Sequence, residues 1–349
     1  MKRILVILLL FSWTLNAQTI FRVNNLPGVT GVNVYTTIQD AHDAASDGDI
    51  IYVEPSLNSY GSLTCTKRLT ILGNGYYLDS NATKNYSLRS SILHDIVLND
   101  GSDNSSLKGL TFNSLTGNSV DGIIMKRCYG NLISLIGVST VENCSNWIVS
   151  QSRLSIIYGD ITYKPTNCVF SNNIFSQYII YTGTNCLIEN NTFFYGGQFQ
   201  GLDGTDIFNN IFLVSDCDAC IQSPFIIHTT GARIENNIIV TRNTGTGNIS
   251  QLVLPSGDGN VNGAAYEDCF KVSDPFNGDI SNDNHVTLSN SSPAKGIGKN
   301  GTDAGAFGGV NPYVLAGQIP YPIITDFKST GAGNASVPLQ IDITVKGNN

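Results

Sequence analysis

Four copies of one short apolar–polar phrase set the reading frame of this chain. FSNNIF begins at Phe170, IENNTF at Ile188, IFNNIF at Ile207 and IENNII at Ile234. In each, an apolar residue stands two places before an Asn-Asn pair, and a strand-like pair follows. The Asn pairs open at Asn172, Asn190, Asn209 and Asn236, at intervals of 18, 19 and 27 residues. A period of about twenty around such a core marks a solenoid, with one coil per repeat. Strand side chains alternate sides, so Phe170, Ile188, Ile207 and Ile234 share an inward column with Cys168, Cys186, Thr205 and Ala232. The intervening residues, Glu189, Asp206, Arg233 and Glu235 among them, belong to an outward face. The second Asn of each pair, Asn173, Asn191, Asn210 and Asn237, is placed at the bend, where Asn tolerates a left-handed backbone. Coils stack about 4.8 Å apart. These amides are therefore expected to hydrogen-bond along the axis as a ladder, a structural role.

The same frame extends in both directions. Ile38, Ala41, His42 and Ala45 recur at helical spacing, which predicts a helix over about 37–46 that is N-capped by Thr36 or Thr37 and ended by Asp47-Gly48. Such a helix would lie across the open end of the first coil, with His42 as a packing residue. LKGLTF from Leu107, MKRCYG from Met125 and VENCSN from Val141 read as weaker copies, with Leu110, Cys128 and Cys144 at the second-Asn position. Leu154–Tyr163 reads as a strand of open register. Tyr266–Phe276 and Val286–Ala294 read as late coils. Pro312, Pro320 and Pro322 set off a tail, in which LQIDITV over 339–345 alternates as a strand.

Composition narrows the class. The 349 residues carry 19 Lys+Arg and 27 Asp+Glu, a net charge of −8, with only 13% charged residues and 35 Gly. This suits an all-β solenoid of many short turns. An acidic chain without a basic run is a poor nucleic-acid partner. Lys2-Arg3 followed by the apolar run Ile4–Phe11 reads as a secretory signal peptide over 1–17, too short for a membrane span. The expected organisation is a signal peptide 1–17, a β-helix 18–310 and a tail 311–349, with the mature chain secreted, periplasmic or at the cell surface and free of integral membrane segments. Cys217 and Cys220 form a CxxC that reads as a local disulfide. Cys168 and Cys186, stacked on adjacent coils, read as buried thiols.

The order of helix, DGDIIYVEP and KRLTILGNG, followed by the NNIF phrases, resembles the right-handed parallel β-helix proteins of the pectin-lyase-like superfamily over roughly residues 36–310. TDAGAFGG at 302–309 is similar to the closing phrase of many secreted bacterial β-helix proteins. The fold class expected is thus all-β: a right-handed parallel β-helix with an N-terminal capping helix and a C-terminal β tail. Sugar-active members of this superfamily act on acidic polysaccharides by lyase or hydrolase chemistry. The resemblance implies the paired Asp, Gly-His-Gly and Arg-Ile-Lys patterns of the polygalacturonase type only where they occur. They do not occur here, and no catalytic residue is carried over.

Candidate residues then come from the chain itself. Lys108, Lys126 and Glu142 fall in one outward column, where a Lys/Glu set can polarise and deprotonate a sugar carbon, or simply form a solvated salt-bridge column. Asp203, Asp206, Asp216 and Asp218 crowd the insertions and offer oxygen ligands for Ca²⁺, though Asp is also an ordinary turn residue. Tyr195 and Phe199 are candidates for a sugar-stacking platform. The reading that follows is a non-catalytic protein binding polysaccharide or a cell-surface glycan. The alternatives are a polysaccharide lyase or glycoside hydrolase for acidic polysaccharide, and a structural or adhesive envelope protein.

Overall fold

The repeating phrase becomes a coil because its apolar residue, its bend and its amide each have one geometric task. A computed structural model of the chain describes residues 18–78, 88–176, 180–194, 199–215, 226–227, 229–242, 253–272, 283–319, 323–334 and 336–346. The region assigned to a signal peptide lies outside them, as do Tyr195, Asp216, Asp218, Cys217 and Cys220. The fold is a parallel β-solenoid with an eleven-stranded and a fourteen-stranded sheet. In the first sheet Leu107, Met125, Val149, Phe170, Ile188 and Ile207 sit in parallel register on successive coils. All are buried and form one core. Removing about six such side chains from water contributes on the order of 10 kcal/mol.

The two asparagines of each pair divide the work, and the bend falls to the first and not, as expected, to the second. The first of each pair, Asn172, Asn190, Asn209 and Asn236, takes the left-handed backbone, with φ of 54°, 52°, 56° and 56°. Its Cβ thereby turns outward. The second points into the core, and Asn173, Asn191, Asn210 and Asn237 are all fully buried. Asn173 Nδ2 donates to Asn191 Oδ1 at 3.1 Å, Asn191 to Asn210 at 3.0 Å, and Asn210 to Asn237 at 3.0 Å. Each of these Nδ2 groups also donates to a backbone carbonyl of the preceding coil: Val149, Phe170 and Ile188. Each Oδ1 accepts a second bond, from the backbone N–H of the preceding asparagine. Burial of an amide is tolerated because nothing on it is left unpaired. The row continues to Asn260, 3.3 Å from Asn237. In the other direction it continues as Ser152, whose N–H donates to Asn173 Oδ1, and Cys128, whose N–H donates to Ser152 Oγ.

That register corrects the placing of Cys144. Val149 pairs with Met125 and Phe170, so Ser152 stands where Cys144 was expected. VENCSN imitates the phrase but forms a turn, with the Val138 N–H bonded to Glu142 O at 2.9 Å and the Glu142 N–H to Ser139 Oγ at 2.9 Å. The inward place before the next strand goes to Trp147, fully buried, with Nε1 donating to Val120 O at 2.7 Å. Gly117 makes room for that ring, since a Cβ there would stand 2.5 Å from Trp147 Cζ2.

In the second sheet, the long strands Leu110–Asn118, Tyr129–Ile136 and Arg153–Gly159 give way to two arms. One runs through Ile174–Phe175, Thr192–Phe193, Ile211–Ser215 and Ile238–Arg242, the other through Ile180–Thr184, Phe199–Asp203 and Ile226–Ile227. Phe175, Phe193 and Phe212 stack through the core, with centroids 4.8 and 5.0 Å apart. The helix is Ile38–Ala44, with Asp40 N–H donating to the N-cap hydroxyl of Thr37 at 3.2 Å. Lys67 Nζ donates to the carbonyls of His42, Asp43 and Ala45 at its other end, where a cation complements the helix dipole. His42 is buried, and its Nε2 accepts from the Thr66 N–H.

The described residues after 265 do not form further coils. Tyr266–Cys269 is helical, Asp283–Val286 is a 3₁₀ turn, and Phe270 pairs with Leu288 antiparallel. Residues 297–319 then run back along the solenoid as a strap. The left-handed row reaches out to hold it. Asn236 Nδ2 donates to Ile297 O, Asn190 Nδ2 to Asp303 O, and Asn172 Nδ2 to Ala306 O and Gly308 O. Asn209 Oδ1 accepts from the Lys299 N–H. Gln151 and Arg127 hold the same backbone row position, with φ of 51° and 57°. Gln151 donates to Asn311 O and Pro312 O, and Arg127 to Gln318 O. Under the strap and the segment before it, Ile174, Ile211, Leu213, Ile238 and Val240 are buried in a second apolar cluster. At its end, Tyr76 and Tyr313 hydroxyls meet, and Asp283 Oδ2 accepts from Tyr313 and from the Ala316 N–H. Ile323–Ser329 and Ile341–Lys346 form a separate antiparallel hairpin.

Each asparagine of a pair should therefore respond differently to mutation. Asn191→Ala strips partners from Asn173 and from Phe170 O and is expected to cost about 3 kcal/mol. Asn190→Gly keeps the left-handed backbone and should cost only about 1 kcal/mol. Urea unfolding midpoints of the two variants check the order.

Candidate ligand-binding face

The outward face of the first sheet carries two rows of side chains. The row nearer the strap is Leu72, Lys108, Lys126, Ser150, Ser171, Glu189, Phe208 and Glu235, one residue per coil in unbroken register. The second row places Ser106, Ile124, Ile148, Val169 and Leu187 alongside. Ile124 and Ile148 are 39% and 40% exposed, so an apolar stripe runs beside a polar one. Both rows exist because the strand Cβ atoms alternate and Leu107, Met125, Val149, Phe170 and Ile188 occupy the inner side.

Lys108 and Lys126 are direct neighbours across two coils. Neither ammonium has a carboxylate partner among the described residues. Both are only partly exposed. Burial pushes the Lys126 pKa below the ordinary lysine value, and the nearby charges of Arg127 and Lys108 push it the same way. Arg127 offers no relief, because its guanidinium bonds to the neutral oxygens of Gln151 and Gln318. Ser106 Oγ, in the adjoining row, is buried without a partner among the described residues. At the other end of the polar row Glu189 is half-buried. Burial pushes its pKa up, and Lys299 of the strap opposes that shift. Phe208 is covered by two cations, Lys299 at 4.8 Å and Arg233 at 5.2 Å from the ring centroid.

The column expected from sequence loses one member. Glu142 lies in the turn before Trp147, and Ser150 takes its place beside Lys126. A Lys/Glu pair for proton transfer is therefore not assembled there. Glu189 shares the row but stands three coils from Lys126, about 14 Å at ordinary strand spacing, beyond direct proton transfer. Asp203 is bound to Lys164 at 2.7 Å and accepts from the Thr230 N–H at 3.2 Å. Those hydrogen bonds hold its carboxyl below the usual range. Asp206 pairs with Arg233 through both carboxylate oxygens. The two described acidic candidates are thus engaged by cations, and no group of three metal-ligating side chains occurs among the described residues. Phe199 is 0% exposed, set edge-on against Phe193 and Phe212, so it is a core residue and not a stacking platform. The six described cysteines are free and buried. Burial raises Cys128 to about 12 and Cys144 and Cys269 to about 11, which leaves inert thiols.

Glu189 was not singled out from sequence as a site residue. Glu189 was visible as an outward residue, but its surroundings come from Lys299, far along the chain. Arg127 stands in the position of the first Asn, and its outward side chain follows from its positive φ.

No protein-family profile matches the chain, and no curated protein does. Among solved structures it is similar to the pectin methylesterase from Aspergillus niger in deglycosylated form, at 13% identity and a TM-score of 0.26, over 70% of this chain and 84% of that one.

Like charges directly opposed on neighbouring strands are destabilising. Lys126→Gln is expected to raise stability by about 0.5 kcal/mol at low ionic strength. The gain should shrink in molar salt. Paired urea titrations at the two salt concentrations check it.

Proposed function

We propose that this chain is a non-catalytic glycan-binding β-helix protein that acts outside the cytoplasm and takes acidic polysaccharide along the outward face of its first sheet. One observation carries the reading: Lys108 and Lys126 stand side by side, half-covered, without a carboxylate partner among the described residues, on a protein of net charge −8. A stability cost of that kind is repaid when an anion completes the site. The flat run of Ser150 and Ser171 continues the polar row for an extended chain, and the aliphatic row beside it offers cover for the apolar faces of sugars. The charged, then apolar opening at Lys2–Phe11 supports export, and among the described residues no helix is long and apolar enough to cross a membrane.

Affinity electrophoresis in gels containing polygalacturonate, alginate, a sulfated glycan or neutral dextran tests the reading. Retardation is expected with the acidic polymers and should weaken as salt rises. The double variant Lys108→Gln, Lys126→Gln should bind about tenfold more weakly. Only the protonated amine attracts an anion, and the Lys126 pKa is lowered. Binding should therefore decline with rising pH before the ordinary lysine pKa of about 10.4 is reached. Failure of every acidic polymer to retard the protein overturns the reading.

A lyase reading draws on the same residue, since a depressed pKa suits Lys126 to act as a base. It requires unsaturated ends to appear when acidic polysaccharide is incubated with the protein, and to disappear with Lys126→Gln.

A further inference from the structure

The polar row carries its charges in a fixed order along the axis. Lys108 and Lys126 come first, two serines follow, and Glu189 comes next. A polymer laid along the row meets cations over the first two coils. It meets a carboxylate three coils beyond Lys126, about 14 Å further on. The Glu189 carboxyl accepts no hydrogen bond and forms no ion pair among the described residues. Its nearest cation, Lys299, rests on the Phe208 ring. Beyond lies Glu235, while Asp206 and Arg233 neutralise each other. The row therefore changes sign from attractive to repulsive for an acidic chain within the span of four coils.

We infer that Glu189 determines the length specificity of this face: it accepts short acidic segments or chain ends over Lys108 and Lys126 and turns away acidic chains that continue past Ser171. The inference rests on the acidic-glycan reading above. Glu189 has no part in holding the ligand. It acts by repulsion, the device by which binding surfaces reject a near-miss partner. Burial strengthens the effect, because a charge at a partly desolvated position is less screened than one in open water. Lys299 moderates it, so the two residues together set where the accepted segment ends.

Calorimetric titration with an acidic tetrasaccharide and with the long polymer of the same repeat tests this. For the native protein, affinity per saturated site should be no higher for the polymer than for the tetrasaccharide. Glu189→Gln, a substitution of equal size, should strengthen polymer binding about fivefold and leave tetrasaccharide binding within about twofold. Lys299→Gln should weaken polymer binding selectively. Lys126→Gln should weaken both ligands alike. Thermal unfolding of Glu189→Gln unchanged from the native protein separates specificity from folding. If Glu189→Gln alters both ligands equally, or neither, the length assignment is overturned while acidic-glycan binding stands. If the native protein binds neither ligand, the binding reading falls and this inference with it.

Discussion

A buried amide that finds every partner it needs along the solenoid axis is the constraint on which this structure depends. An asparagine in a core is costly unless both its donors and its acceptor are used. Here the coil spacing supplies a second amide one step away and a backbone carbonyl within reach, and the cost disappears only if the register is kept. A slip of one residue would bring an outward residue into the core and leave four amides without partners. The inner apolar residues make burial favourable, but they tolerate exchange of Leu, Met, Val, Phe and Ile from coil to coil. The amides do not tolerate slippage, and so they define the frame. In the earlier coils the same position passes to Ser152 and Cys128, which join the row through a backbone N–H or a hydroxyl and not through an amide side chain. The specification there is weaker, which is why those coils were harder to read.

The left-handed residue beside each amide is the second half of that constraint. Its backbone turns the corner, and its side chain is thereby aimed away from the core. What the sequence shows as a doublet of identical letters is two residues with opposite orientations. Asn172 and Asn173 cannot be told apart by composition, and the assignment of the bend to the second one was wrong for that reason. The solenoid itself, the start of the helix and the inward column were legible, because periodicity is a local property. The strap was not. Its partners lie between 61 and 191 residues away, and its sequence has no period, since its bonds come from its own backbone carbonyls and N–H groups.

The candidate face was legible to the same degree. Lys108 and Lys126 were placed together because their two copies of the phrase, although weak, keep its spacing in the coils. Glu142 was misplaced because VENCSN has the spacing of a coil and the hydrogen bonds of a turn. Phe199 looked exposed because Gly and Asp surround it, whereas a second arm of the sheet brings it against the stacked phenylalanines. The physics that decides such cases, namely which long-range neighbour covers a side chain, is absent from a window of ten residues. The same holds for Glu189: its carboxyl is ordinary until Lys299 and the coil stack change its solvation.

Solenoids ordinarily lengthen by copying a coil, because each repeat touches only its neighbours. This one has a tape measure along its side. The strap meets the coils in reverse order, Asn236 and Asn209 first, then Asn190, Asn172 and Gln151, and Arg127 last. An inserted coil would move every later anchor by about 4.8 Å and leave the strap about one or two residues short. A deleted coil would leave it slack. The number of coils is thus tied to the length of one connecting segment, and any descendant that gains or loses a repeat has to change both together.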